Sequence, residues 1–182
     1  MPYVKTSDGI NLYYEKNGSG IPIVFVHEFA GDHRSWEPQV NYFSRNFTCI
    51  TYSARGYTPS DVPNDVNMYS QERAWQDIRD IIVGLDLKKA HIVGLSMGGF
   101  ATLHFGINCP NQALSLCIAG CGYGAKPKNS ENNEGFSKVS ENTAKDIINR
   151  GMKIVGSEYA LGPSRVQFQK KDYAGWKKFK DM

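Results

Sequence analysis

Long apolar runs are missing from these 182 residues: no segment approaches the ~18 consecutive apolar positions that a membrane-spanning helix needs. The opening Met1-Pro2-Tyr3-Val4-Lys5-Thr6 lacks a basic region followed by an apolar core. No secretion signal is therefore expected, and a cytoplasmic location is the expectation. Cysteine is sparse and unpatterned. Cys49, Cys109, Cys117 and Cys121 show no C-x-x-C spacing, which argues against zinc and against a disulfide framework, so small buried hydrophobes and no metal are expected. Histidine is equally sparse: the four are His27, His33, His91 and His104, and none follows residue 104. Internal repeats are lacking. Charge of one sign is lacking as well, since the net +3 divides into 9 Lys+Arg against 11 Asp+Glu over residues 1–125 and 12 against 7 over residues 126–182. Lys170-Lys171 and Lys177-Lys178-Phe179-Lys180 read as solvated helix faces rather than a nucleic-acid patch.

What remains is the composition of one soluble globular domain, 41% hydrophobic and 21% charged. Its organising stretch is Ala90-His91-Ile92-Val93-Gly94-Leu95-Ser96-Met97-Gly98-Gly99-Phe100-Ala101. Ile92 and Val93 suit a buried strand, whereas Phe100, Ala101, Leu103, His104 and Phe105 suit a packed helix. The chain must turn sharply between them, at Ser96, with Gly94 and Gly98 keeping β-carbons out of the crossing. Gly94-Leu95-Ser96-Met97-Gly98 matches the G-x-S-x-G nucleophile elbow in its strand-turn-helix setting and resembles the α/β-hydrolase superfamily.

Earlier in the chain, Tyr3 to Lys5 and Ile10 to Glu15 flank the turn signal Ser7-Asp8-Gly9 and predict an antiparallel hairpin, ended by Asn17-Gly18-Ser19-Gly20. Ile21 to Val26 is a strand covered on both faces, and it delivers His27-Glu28-Phe29-Ala30-Gly31. That loop resembles the family's H-G-x loop. The resemblance implies that the Phe29 and Met97 backbone N–H groups form an oxyanion hole. Glu28 stands where the family has glycine and is expected in the pocket or its support, with His27 anchoring the loop. Trp36 to Phe43 predicts a helix capped by Ser35, and Phe47 to Tyr52 the next buried strand. Its exit, residues 53–61, resembles the family's D-x-R-G-x-G-x-S loop at Arg55, Gly56 and Ser60, and departs from it at Ser53 and Thr58. Ser70 caps a helix with Ala74, Ile78, Ile81, Ile82 and Leu85 on one face, weakened late by Gly84. After the elbow helix, Met97 to Ile107, comes the strand Ala113 to Ala119. Residues 126–135 read as a polar linker. A helix from about Ser140 to Val155, a loop over Tyr159 to Arg165 and a helix over Tyr173 to Phe179 follow.

A serine hydroxyl needs a base, and the base needs a carboxylate, which this family supplies in the order Ser, Asp/Glu, His. No histidine follows residue 104, and beyond the sixth strand the aspartates are Asp146, Asp172 and Asp181, in sequence resembling a helical cap. The resemblance therefore implies an α/β fold, a mostly parallel sheet with helices on both faces, truncated. Residues 1–124 would hold the first six strands with the last two missing, and 125–182 a partial cap. It implies a serine hydrolase of carboxylic esters, thioesters or lactones, with Ser96 as nucleophile and no cofactor. Ser96 argues against members that use aspartate, such as epoxide hydrolases. Two other readings stay open: a non-catalytic binding protein of the same fold, and one chain of a two-chain assembly. The expected partner is a small ester or lactone, and an unpaired sheet edge offers a route to self-association.

Overall fold

The structure is a computed structural model that describes residues 2–121 and 131–182; the side chains of 131–137 and 164 fall outside that description. Residues 126–130 of the expected linker lie outside the described residues, and 131–135 belong to a helix rather than to a linker. Contacts divide the chain into two units, Met1–Cys121 and Gly122–Met182.

The first unit is a six-stranded sheet in the order β1-β2-β4-β3-β5-β6. The strands are β1 (Tyr3–Lys5), β2 (Asn11–Asn17), β3 (Ile21–Val26), β4 (Phe47–Tyr52), β5 (Ala90–Leu95) and β6 (Ala113–Ala119). The hairpin β1–β2 and the pair β2–β4 are antiparallel, and β4, β3, β5 and β6 run parallel. Alternation along β3 sorts the two cores. Ile23 and Phe25 meet Trp36 and Cys49 on the face covered by α1 (Glu37–Phe43). Val24 and Val26 join Ile50, Ile78, Ile81, Ile82, Ile92 and Phe105 on the face covered by α2 (Gln71–Gly84) and α3 (Met97–Asn108). Ile78, Ile81 and Ile82 are each fully buried, a contribution of ~1.5–3 kcal/mol apiece.

Local chemistry sets the helix ends. The Ser70 hydroxyl accepts from the Arg73 N–H, so α2 begins where the sequence places it. Gly84 does not fray its last turn; a β-carbon there would lie 2.5 Å from Val4 Cγ1, and glycine lets the helix meet β1. The helix expected over Trp36 to Phe43 starts differently. Asp32 caps a 3₁₀ turn over His33–Trp36 by accepting from the Arg34 N–H, and α1 follows with Pro38 in its first turn. A carboxylate one residue before the histidine outcompetes the Ser35 hydroxyl as cap. The cysteines also depart from expectation: Cys49 is buried and Cys109 and Cys121 partly so, but Cys117 is exposed. It sits on β6, an edge of the sheet among the described residues, where Leu114 and Ile118 are exposed too.

In the second unit, the expected helix over 140–155 is two helices, α4 (Glu131–Arg150) and α5 (Met152–Ala160). The break is Gly151 at φ 83°, a left-handed conformation glycine adopts without strain. Ile148 and Met152, on either side of the break, are both exposed. Tyr159 and Ala160 belong to α5 rather than to a loop, a 3₁₀ turn covers Pro163–Arg165, and α6 (Val166–Lys171) precedes α7 (Tyr173–Asp181). Trp176 is buried and donates its indole N–H to the Ala160 carbonyl at 2.8 Å, tying α7 to α5.

An ionic hub holds the first unit's hairpin to its helices. Arg55 donates to both Asp77 oxygens at 2.8 and 2.6 Å, to both Asp8 oxygens at 2.8 and 3.0 Å, and to the Met68 carbonyl at 2.8 Å. The Arg55 hydrogen bond holds the Asp8 carboxyl well below the usual carboxylate range, whereas burial pushes Asp77 up to about 6 against the pull of the same arginine. The signs oppose: Asp8 contributes stability above its ordinary pKa and loses it as pH falls, while the Asp77 contribution fades as pH rises through about 6. Arg55→Met should lower unfolding stability by ~3–5 kcal/mol in urea titrations, because it strands buried carboxylates. The stability gap between the parent chain and Asp8→Asn should be full at neutral pH and close as pH falls below about 4.

Candidate active site

The sheet order creates the site. From β3 the chain moves to β4 on one side, while β5 lies on the other, so the carboxyl edge opens a crevice where the direction of travel reverses. Val26, the last residue of β3, pairs with Gly94 near the end of β5. The loop after β3 and the turn after β5 consequently leave the sheet side by side.

Ser96 occupies that turn with φ 52° and ψ −113°, directly before α3. Such a backbone costs an L-residue ~1–3 kcal/mol and persists only where its surroundings over-determine it. Here its N–H donates to the Ala119 carbonyl at 2.8 Å, and its own carbonyl accepts from the Phe100 N–H at 3.0 Å and the Cys121 thiol at 3.3 Å. The crossing leaves no room for side chains. A β-carbon at Gly94 would stand 2.2 Å from the Gly98 carbonyl oxygen, and one at Gly98 2.2 Å from the Val26 carbonyl oxygen. The Ser96 hydroxyl is partly exposed and makes no hydrogen bond among the described residues.

Met97 is the first residue of α3, so its N–H points off the helix end without an intrahelical acceptor, where the helix dipole favours negative charge. The Phe29 N–H likewise has no acceptor among the described residues. The Phe29 side chain is 53% exposed, so packing does not hold it. Its backbone is held by neighbours instead. His27 is fully buried, with Nδ1 2.7 Å from the Glu28 carbonyl oxygen and Nε2 accepting from the Ala54 N–H at 3.0 Å. That pattern requires the proton on Nδ1, and burial lowers the His27 pKa, keeping the ring neutral. Glu28 needs no positive φ. Its Oε1 accepts from the Ser35 hydroxyl at 3.3 Å, and Oε2 is buried without a partner among the described residues.

None of the four histidines bonds Ser96 among the described residues. His33 Nδ1 lies 2.8 Å from Ser53 Oγ, where the family's loop has aspartate, and its Nε2 lies 3.5 Å from Glu15. His91, the second residue of β5, contacts Ser115 Oγ at 2.7 Å, five strand residues or ~16 Å from Ser96. His104 lies eight residues along α3, ~12 Å away.

A cavity of about 570 Å³ opens beside the two amides, lined by Phe29, Tyr57, Tyr69, Met97 and Ala101, with Arg55 and Asp77 among its walls. Ser96, His27 and Glu28 are not among its lining residues, although Met97 and Gly98, directly after Ser96, are. Tyr57 is the residue that motif reading missed. Its hydroxyl donates to the Phe29 carbonyl at 2.9 Å, a contact 28 residues distant in sequence, and its ring stands edge-on to His27 with centroids 4.7 Å apart.

The sequence profile of the α/β-hydrolase fold matches residues 21–146. The chain belongs to this family. The 3-oxoadipate enol-lactonase 1 of Acinetobacter baylyi is 34% identical over 118 residues, which cover 64% of this chain and 43% of that protein. Epoxide hydrolase 3 of Mus musculus is 32% identical over 121 residues, 65% of this chain and 33% of that one. A solved hydrolase of Pseudomonas aeruginosa superposes with TM-score 0.81 at 21% identity, over 99% of this chain and 65% of that chain, which shows the shared fold. The chain thus spans less than half the length of both curated relatives and about two thirds of the solved hydrolase. No helix among the described residues is long and apolar enough to cross a membrane, and no cluster of three metal-ligating side chains occurs among them.

The elbow's close crossing is testable. Gly98→Ala should destabilise the chain by ~1–3 kcal/mol in chemical denaturation, since the added carbon meets backbone that must shift. Gly156→Ala, in α5 with its nearest neighbour atom at 4.0 Å, should be neutral or stabilising.

Proposed function

We propose that the chain carries the nucleophile and the oxyanion hole of a serine hydrolase acting on carboxylic esters, thioesters or lactones. The observation that supports this reading is the juxtaposition, on adjacent strands, of a hydroxyl raised at a strained turn with two backbone N–H groups that have no acceptor among the described residues. Ser96 Oγ attacks the substrate carbonyl carbon and gives its proton to a base. The carbonyl π electrons move onto oxygen, where the Phe29 and Met97 N–H groups hold the charge. Removing one such donor typically costs ~10²–10³ in rate. Collapse expels the alcohol or thiol with the proton, and water then releases the acyl group from Ser96.

The base and its orienting carboxylate come, in this proposal, from polypeptide outside these 182 residues, because every histidine in the sequence is engaged elsewhere or lies along an element away from Ser96. The chain by itself then turns over esters negligibly. The 65% span of the solved hydrolase favours that view. The likeness to an epoxide hydrolase does not displace the ester reading, since a serine stands at the elbow of this chain.

The oxyanion hole and binding alone leave ~10³–10⁴-fold over water when a triad member is lost. Incubating the purified chain with p-nitrophenyl acetate should therefore deposit acetyl slowly on Ser96, detected by peptide mass spectrometry. Added imidazole, serving as an external base, should raise that rate, and Ser96→Ala should abolish it. Acetylation that is indifferent to Ser96→Ala, or that never reaches Ser96, would overturn the proposal and leave a binding protein of the same fold.

A further inference from the structure

We propose that Tyr57 is a positioning residue for the oxyanion hole, fixing the backbone of Phe29 through its phenol; this rests on the hydrolase reading of Ser96. An amide aims at one point only if both torsions of its residue are held. The peptide linking Glu28 to Phe29 carries the Phe29 N–H, and its carbonyl is gripped by His27 Nδ1 at 2.7 Å. Because a trans peptide directs C=O and N–H oppositely, His27 turns the Phe29 N–H away from itself. That leaves the peptide linking Phe29 to Ala30 to be fixed, and the Tyr57 hydroxyl donates to its carbonyl at 2.9 Å.

Nothing in the Phe29 side chain substitutes for this, since it is 53% exposed. Tyr57 is itself placed firmly. Its N–H donates to the Ala54 carbonyl at 3.0 Å and its carbonyl accepts from the Ser60 N–H at 3.0 Å, while the Ala54 N–H feeds His27 Nε2. One loop therefore supplies both grips on Phe29, directly through Tyr57 and indirectly through His27. The phenol oxygen also lies 3.7 Å from Met97 Sδ, so the same side chain touches both residues that the hydrolase reading assigns to the oxyanion hole. A hydroxyl has one proton, and the shorter contact takes it to the Phe29 carbonyl.

Tyr57→Phe removes the hydroxyl and keeps the ring against His27. Tyr69→Phe is the control: its phenol lines the same cavity but donates to the Pro63 carbonyl at 2.8 Å. In the 182-residue chain, nuclear magnetic resonance should show the backbone order parameter of Phe29 falling from about 0.85 to below about 0.6 in Tyr57→Phe. Its carbonyl carbon resonance should move as the hydrogen bond is lost, and both readouts should stay put in Tyr69→Phe. The saturating rate of Ser96 acetylation by p-nitrophenyl acetate should fall ~10-fold in Tyr57→Phe, as for one lost hydrogen bond, with half-saturation and imidazole dependence unchanged. Unaltered Phe29 order, or an unaltered acetylation rate in a parent chain that does acetylate, would overturn the assignment. If Ser96 of the parent takes no acetyl, the hydrolase reading fails separately, and the resonance measurements still decide whether Tyr57 fixes Phe29.

Discussion

The close approach of the α3 N-terminus to the end of β3 constrains everything else in the site. Gly98 lies where a β-carbon would stand 2.2 Å from the Val26 carbonyl oxygen and 2.6 Å from that of His27. Such proximity forces the chain from β5 into a single-residue reversal, and Ser96 takes the strain at φ 52°. It also brings the helix's unpaired amides to the mouth of the neighbouring strand's loop. Strain at Ser96 and the placing of the α3 N-terminus beside the loop after β3 are thus two outcomes of one packing event rather than separate features.

Holding the loop opposite is a matter of side chains borrowed from elsewhere. The loop's own Phe29 is exposed and Glu28 leaves one oxygen without a partner among the described residues. Order comes from His27 below and from the segment after β4 beside it. That segment is anchored in turn by Arg55, whose guanidinium bridges Asp77 of α2 and Asp8 of the β1–β2 turn. A chain of contacts therefore runs from a surface hairpin, through a buried ion pair, to the peptide that presents the Phe29 amide. Buried pairs of this kind are weak evidence for net stability, but their loss is costly.

The strands and the elbow were legible because their signals are local. Ile21 to Val26 and Phe47 to Tyr52 are short runs rich in apolar and β-branched residues, and the serine between glycines is legible because a strand-suited run precedes it and a helix-suited run follows it. The helix before β4 was misplaced at its start because Asp32 and Ser35 are both competent caps, and the choice depends on which meets a free N–H in space. Apolar spacing continues across Gly151 and predicts one helix over 140–155, while the positive φ that breaks it leaves no mark in periodicity. A strand's sequence does not state its place in the sheet, which is why the burial expected of Cys117 fails: among the described residues β6 lies at an edge. Tyr57 was illegible for the same kind of reason: its partner lies 28 residues away, and the contact exists only after β3 and β4 pair.

The central claim is that Ser96 and the Phe29 and Met97 amides converge on a single oxygen position. A crystal structure of the chain after diethylphosphorylation in the presence of imidazole tests it most directly. The account predicts a phosphoryl group on Ser96 Oγ with its oxygen ~3 Å from both the Phe29 and the Met97 nitrogen. A phosphoryl oxygen turned away from both amides, or a phosphoryl group on another side chain with Ser96 unmodified, would contradict it.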